Sequence, residues 1–286
     1  MAIDYDRLMA KPFPERRHSY TRKDSILYAL GIGLGGDPVD AGQLQFVYEA
    51  GLKAFPTMPV VLGYPGFWMR DDADCGIDWV RVVHGEQRLT LHGEIPVEGT
   101  VVGRTRITHV IDKGRDRGAL VIQQRTVTDA ADGRLIATID HTTFCRADGG
   151  FGGPKIEAPV PHRLPETAPD AHCDIATLPQ AALIYRLSGD DNPLHSDPAV
   201  ARDAGFPRPI LHGLATYGVA AHAVLRTFCD MDPARLRSFD LRFSAPVYPG
   251  ETVRTEMWQA GGTVWFRARV PERDVVVLSN GRATIA

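Results

Sequence analysis

Cysteine is scarce in this chain, and the four present (Cys75, Cys145, Cys173 and Cys229) lie far apart. No CxxC pair and no metal-ligand spacing occurs among them. That argues against a zinc module and for free thiols in a reducing compartment. A block of Lys or Arg is also missing: the basic residues are scattered and the formal net charge is only −3. Neither nucleic acid nor an anionic membrane surface is therefore an expected partner. The N-terminus is charged and polar with no apolar signal-like stretch, and no apolar run is long enough to span a bilayer. The last residues, Asn280 to Ala286, contain no peroxisomal tripeptide of the Ser-Lys-Leu kind. These absences predict a soluble, cytoplasmic protein. What the chain does have is 286 residues, 44% of them hydrophobic, enough for one large domain or two ordinary ones around a real core.

Gly and Pro crowd the stretch from Ala147 to Pro165, which reads as a linker. A weak internal repeat lies on either side of it. Tyr28-Ala29-Leu30-Gly31 pairs with Tyr185-Arg186-Leu187-Ser188, and the run from Phe55 to Gly63 pairs with Phe206 to Gly213. Glu94 to Thr100 then pairs with Ala245 to Thr252. Each half continues with alternating apolar and polar segments: Val101 to His109, Ala119 to Asp129 and Leu135 to Cys145, then Thr252 to Gln259, Thr263 to Val270 and Val275 to Ile285. Gly114 to Gly118, Asp132-Gly133 and Gly261-Gly262 supply hairpin turns. The expected organisation is an N-terminal repeat over 1–148, a linker over 149–175 and a C-terminal repeat over 176–286. Each repeat should hold a loop region, one apolar helix and an antiparallel meander. The second-half helix, Leu214 to Phe228, is apolar on nearly every face and should be wrapped by its sheet. The fold expected is an α+β double hot dog, two tandem repeats each with an apolar central helix.

Chemistry concentrates between Tyr185 and Gly213. Asp190, Asn192 and His195 share one short loop, and Gly213 opens the apolar helix after a Pro-punctuated segment. An acid, an amide and an imidazole can hold and deprotonate a water, and a helix N-terminus can stabilise an oxyanion. The competing reading of the loop is plain turn chemistry, since Ser, Gly, Asp, Asn and Pro all favour turns. His212 either caps the helix or fills space beside Gly213. Asp191, Asp197 and Asp203 read as solvated turn or helix-start residues, and His222 as a satisfied core histidine. Phe67, Trp68, Trp79 and Tyr217 are candidates for an acyl pocket or for the core.

With its motifs in view, the chain resembles the MaoC-like (R)-specific enoyl-CoA hydratases, close to the hydratase 2 part of peroxisomal multifunctional enzyme type 2. The resemblance runs through Tyr28 to Gly31, Leu62-Gly63, Val83 to Gln87, Asp112 to Gly114, Gly149 to Gly153, Gln180 to Ala182, Pro209 to Leu214, Pro246 to Gly250 and Thr255 to Trp258. The Asp-x-Asn-Pro-x-His loop, Asp190 to His195, is that family's defining motif and is intact here. The resemblance implies reversible hydration of trans-2-enoyl-CoA to (3R)-3-hydroxyacyl-CoA, in fatty acid metabolism of the β-oxidation kind, with no cofactor and no metal. It further implies a homodimer with sheets continued across subunits. Asp190 and His195 would hold the water and share its protons, with His195 as the base or the reverse. Asn192 would orient them, and the Gly213 N–H would bind the thioester oxygen. His84, Gly85, Lys113 and Phe243, with the loop residues Asp191, Pro193 and Leu194, would contact the acyl-CoA. Lys113 would pair with a CoA phosphate, or else is a solvated hairpin lysine. The first half has Gly33 where the repeat would put Asp190, and no His near the counterpart of His195. One active site per chain is expected, with the first half widening the acyl pocket and completing the CoA groove.

Three rival readings have sequence support. Gly31-x-Gly33-x-x-Gly36 formally matches a dinucleotide fingerprint, though without a βαβ context. A hot-dog acyl-CoA thioesterase would use an acid and a helix N-terminus in the same way. A non-catalytic acyl-CoA-binding module is the third, set against the intact loop.

Overall fold

The alternating segments become strands, and the repeat becomes a symmetry. A computed structural model describes residues 2–286. The first half contributes β1 (Arg16–Tyr20), β2 (Val82–Leu91), β3 (Gly99–Asp112), β4 (Ala119–Asp129) and β5 (Leu135–Cys145). The second contributes β6 (Ala171–Ala176), β7 (Leu236–Phe243), β8 (Thr252–Ala260), β9 (Thr263–Val270) and β10 (Val275–Ile285). All ten form one antiparallel sheet in the order β1-β3-β4-β5-β2-β7-β10-β9-β8-β6. Read from either edge, the order runs through equivalent strands of the two repeats and meets at β2–β7. There Glu86 faces Arg242 and Arg88 faces Asp240. Sheet continuation of the kind expected between subunits occurs here between the halves of one chain.

The helices are α1 (Tyr5–Met9), α2 (Arg22–Gly31), α3 (Ala41–Leu44), α4 (Trp68–Asp71), α5 (Ala181–Tyr185), α6 (Pro198–Asp203) and α7 (Gly213–Phe228). α7 is the expected apolar helix, with every residue from Ala215 to Leu225 buried. Such a helix gains stability from burial on all sides rather than from its own propensity. Its Gly218 lets Ile32 approach so closely that an added Cβ would lie 2.5 Å from the Ile32 Cγ2. α2 and α5 are repeat mates, and their matched residues Tyr28 and Tyr185 pack with ring centroids 5.9 Å apart.

The central helix expected in the first half is not there. Between Met58 and Val82 the chain makes only the short α4 and single 3-10 turns at Met58–Val60, Ala73–Cys75 and Trp79–Arg81. The cause is local: Pro59 and Pro65 remove backbone donors, and Gly63 and Gly66 take φ of +59° and +86°. The double hot-dog architecture survives with one long central helix, in the second half, and short helices cover the first half's sheet.

One core cluster joins both halves around α7, including Tyr28, Phe55, Leu89, Val219, Phe239 and Phe266. A satellite cluster of Ile3, Leu8, Trp68, Met69, Val110 and Val121 covers the outer end of the first half. The Gly-rich stretch after β5 is anchored rather than loose: the N–H groups of Gly150 and Gly152 donate to the Asp112 carboxylate at 2.7 and 2.8 Å. Beyond it, residues 153–170 form no helix or strand before β6 starts at Ala171. Among the described residues no helix is long and apolar enough to cross a membrane.

Candidate active site

α5 runs into a 3-10 turn (Arg186–Ser188) that ends at Gly189, whose φ of +108° suits glycine. Two successive Asx turns follow. The Asp190 carboxylate accepts from the Asn192 N–H at 3.3 Å, and the Asn192 side-chain oxygen accepts from the Leu194 N–H at 3.0 Å. The turn reading of this loop therefore holds, and it is also what aims the loop. Asn192 caps the short turn Pro193–His195 and sends His195 inward. His195 is 8% exposed, while Asp190 stays partly open to solvent. Asp191 and Pro193 are exposed and Leu194 is half-buried.

His195 has a defined tautomer. Its Nδ1 lies 2.9 Å from the Ile210 carbonyl, which can only accept, so Nδ1 carries the proton and Nε2 carries a free lone pair. Burial lowers its pKa below the ordinary histidine value, against an opposing pull from the Asp190 carboxylate. A neutral imidazole beside a carboxylate can take a proton from water.

His212 does not cap α7 with its side chain. Its ring lies face to face with that of His195, centroids 3.8 Å apart and planes at 27°. Its Nε2–H donates to the Asp190 carbonyl at 3.1 Å. Burial first, and then His195, push its pKa down to about 3.

Gly213 begins α7, where backbone N–H groups have no intrahelical acceptor and the helix dipole favours negative charge. A Cβ on Gly213 would sit 3.3 Å from the Phe243 ring. Phe243 in turn packs on His84 at 4.3 Å, and His84 stacks on His141 at 3.8 Å. The β2–β7 pairing thus carries His84 and Phe243 to the mouth of α7. Gly85 sits at a register shift of β2 against β5, between His84 and Glu86, where a bulge re-aims its neighbours. Lys113 lies at the β3–β4 hairpin with its Nζ 5.4 Å from the Phe144 ring, and Phe144 pairs with Val83. Lys113 makes no ion pair among the described residues.

The sequence missed three neighbours of the site. His141 is one. Arg125 is another, only 7% exposed, with its guanidinium donating to the Val60 carbonyl at 2.6 Å and lying 5.5 Å from the Tyr64 ring. Tyr64, itself 42% exposed, is the third. The signal for Arg125 and His141 was a strand alternation that puts polar residues on the core-facing positions of β4 and β5; Tyr64, in the loop before α4, carried none. Of the aromatic candidates, Tyr217 and Trp68 are core: the Tyr217 hydroxyl donates to the Phe239 carbonyl and the Trp68 N–H to Gln123. His222 is buried as expected, yet neither ring nitrogen has a hydrogen-bond partner among the described residues.

A cavity of about 110 Å³ lies beside Gly189, walled by Leu27, Met58, Val61, Leu62 and Leu187. Most of that wall belongs to the first half. Asp190, His195 and His212 could each offer a ligand atom within 4.8 Å of the others. The two imidazoles lie face to face, and the Nε2 of His212 already donates to the Asp190 carbonyl. The glycine fingerprint starts at the end of α2, with Gly31 as its last residue; a dinucleotide loop instead opens a helix after a strand. A side chain at Gly33 would meet the Ile175 Cγ2 at 3.1 Å, so that position holds no acid.

Residues 161–280 match the family described as MaoC like domain, and residues 18–147 match the MFE-2 hydratase 2 N-terminal domain. The chain is 41% identical to a probable enoyl-CoA hydratase 2 of Dictyostelium discoideum, over 100% of this chain and 97% of that protein. It is 38% identical to the peroxisomal multifunctional enzyme type 2 of Mus musculus, over 93% of this chain and 36% of that larger protein. The crystal structure of a MaoC-like dehydratase from Phytophthora capsici superposes with a TM-score of 0.87 at 35% identity, covering 98% of each chain. A Mycobacterium tuberculosis protein described as having a double hotdog fold superposes with a TM-score of 0.57 at 16% identity, covering 99% of this chain and 97% of that one, which bears on the fold alone.

Proposed function

The chain belongs to the MaoC-like, hydratase 2 family of enoyl-CoA hydratases, and from that premise we propose how it works as an (R)-specific hydro-lyase. The observation that carries the reading is the meeting of Asp190, the Nε2 lone pair of His195 and the first turn of α7 in one place. Water held between Asp190 and His195 attacks C3 of a trans-2-enoyl-CoA as the Nε2 of His195 takes one proton. The C2–C3 π electrons move toward the thioester oxygen, which the N–H of Gly213 receives; an oxyanion donor of this kind contributes about 3–4 kcal/mol. The proton on His195 passes through the Asp190 carboxyl to C2. One water is consumed, and one C–O and one C–H bond form, giving the (3R)-3-hydroxyacyl-CoA of the family. The steps reverse for dehydration.

His84, Gly85 and Phe243 then flank the thioester, Lys113 offers a charge to a CoA phosphate, and Asp191, Pro193 and Leu194 edge the entrance. The cavity beside Gly189, walled mostly by first-half residues, receives the acyl chain. The reaction needs neither cofactor nor metal, because the proton carriers and the oxyanion donor are protein groups. The reading extends, on the family resemblance alone, to a homodimer and a place in β-oxidation. The free thiols of all four cysteines suit a reducing, cytoplasmic setting.

The test is loss of enoyl absorbance with trans-2-enoyl-CoA substrates of several lengths, followed by chiral analysis of the product. A (3R) alcohol supports the reading, a (3S) alcohol overturns the stereochemistry, and release of free thiol would mark a thioesterase. Asp190→Asn and His195→Gln should each cut kcat by about 10²–10⁴-fold with an unchanged melting temperature. Near wild-type turnover in either variant sinks the mechanism.

A further inference from the structure

The surroundings of His212 are more specific than a helix start requires. Its backbone carbonyl already accepts from the N–H groups of Ala215 and Thr216, both at 3.1 Å, so α7 begins without help from the ring. The ring is 1% exposed, stacked on His195 at 3.8 Å and packed against the tilted Tyr185 ring at 5.1 Å. Its Nε2–H reaches back across the loop to the carbonyl of Asp190, and its Nδ1 has no hydrogen-bond partner among the described residues. Space filling alone would place an apolar side chain here, since a buried unpartnered nitrogen costs stability.

We propose that His212 is a positioning residue of the active site. It grips the backbone of Asp190 and the ring face of His195 together, fixing both to the first turn of α7. This role rests on the hydration reaction proposed above. The bond goes to the carbonyl of Asp190 rather than to its carboxylate, so the acid is located without being occupied. That matters because Gly189, immediately before it, has the φ of +108° that only a flexible residue adopts readily. The stack covers one face of His195 with a ring that burial keeps neutral. Base, acid and the Gly213 N–H then keep one mutual geometry, and a displacement of about 1 Å among such groups can cost about 10²-fold in rate.

Two conservative variants separate the two contacts. His212→Gln keeps an N–H donor for the Asp190 carbonyl and loses the stack; His212→Phe keeps the stack and loses the donor. Each should lower kcat by about 10-fold or more while KM changes by less than about 3-fold, and each should leave the melting temperature close to wild type. His195 itself is followed by ¹⁵N NMR of its ring as pH is varied, with the groups facing the pair being Asp190, Tyr185 and Arg186. In His212→Gln the His195 midpoint should rise toward the ordinary value as water reaches its open face. Wild-type kcat in both folded variants, or lowered kcat with the His195 titration and tautomer unmoved, overturns the proposal. If the wild-type protein hydrates no enoyl-CoA, the reaction has failed, and the NMR comparison still decides whether His212 positions His195.

Discussion

Histidines in this protein do different work according to what each ring nitrogen meets. His195 gives Nδ1–H to a carbonyl and leaves Nε2 free for the proposed proton transfer, whereas among the described residues His222 has no hydrogen-bond partner for either nitrogen. Burial lowers the pKa of His222 and of His141 to about 4. In the unfolded chain both return to the ordinary value near 6.5. Below that value the unfolded state binds protons that the folded state refuses, so stability is full above pH 6.5 and falls as pH drops toward 4. Asp240, whose carboxyl burial raises, pulls the other way; the clean measurement is therefore a comparison of variants. His222→Leu should match wild type at pH 8 within about 1 kcal/mol and exceed it at pH 5 by on the order of 1–2 kcal/mol. Denaturant unfolding at the two pH values checks this, and an equal gap at both would remove the titration argument. These roles were only partly legible in the sequence. The loop spacing announced Asp190, Asn192 and His195, but whether His212 capped, filled or positioned depended on a carbonyl 22 residues away in the chain.

At the scale of elements, α7 is the core's central rod, and its first turn is the proposed oxyanion donor. Its packing against α2 depends on Gly218. Alanine would favour the helix by about 1 kcal/mol, yet its Cβ would stand 2.5 Å from one Ile32 carbon and 3.1 Å from another. Overpacking of this kind costs about 1–3 kcal/mol, so the clash wins. Gly218→Ala should lower the melting temperature, and Ile32→Ala in the same chain should restore part of the loss. An unaltered melting temperature in the single variant would mean that α2 moves aside freely. The same scale explains the helix missing from the first half. The repeat aligns Phe55 to Gly63 with Phe206 to Gly213 and so suggests a helix in both places. The residues from Leu214 to Phe228 contain no proline, while those after Gly63 include Pro65 and Gly66.

For the whole molecule, the β2–β7 pairing and the shared core make the halves interdependent. Residues 1–148 or 149–286 alone would expose a central strand edge and the faces of a common cluster that includes Leu89 and Phe239. Expressed separately, each half should be poorly folded or aggregated by circular dichroism and size-exclusion chromatography. Coexpression should recover a one-to-one complex with hydratase activity. A well-folded monomeric half would show that the join is dispensable.

By itself the sequence determined the strands, the two-half plan and the loop of the candidate site, because each is written in local terms: period-two alternation, turn residues and a short spaced motif. It also placed the proposed acid and base in the second half, since Gly33 stands at the counterpart of Asp190 and no His lies near the counterpart of His195. Tertiary structure alone decided the rest. Strand pairing across the pseudo-twofold brought His84 and Phe243 to Gly213, and folding placed Arg125, Tyr64 and His141 near the same site. The stacking of His212 on His195 belongs with these, because contacts between distant residues depend on three-dimensional packing rather than on the spacing along the chain.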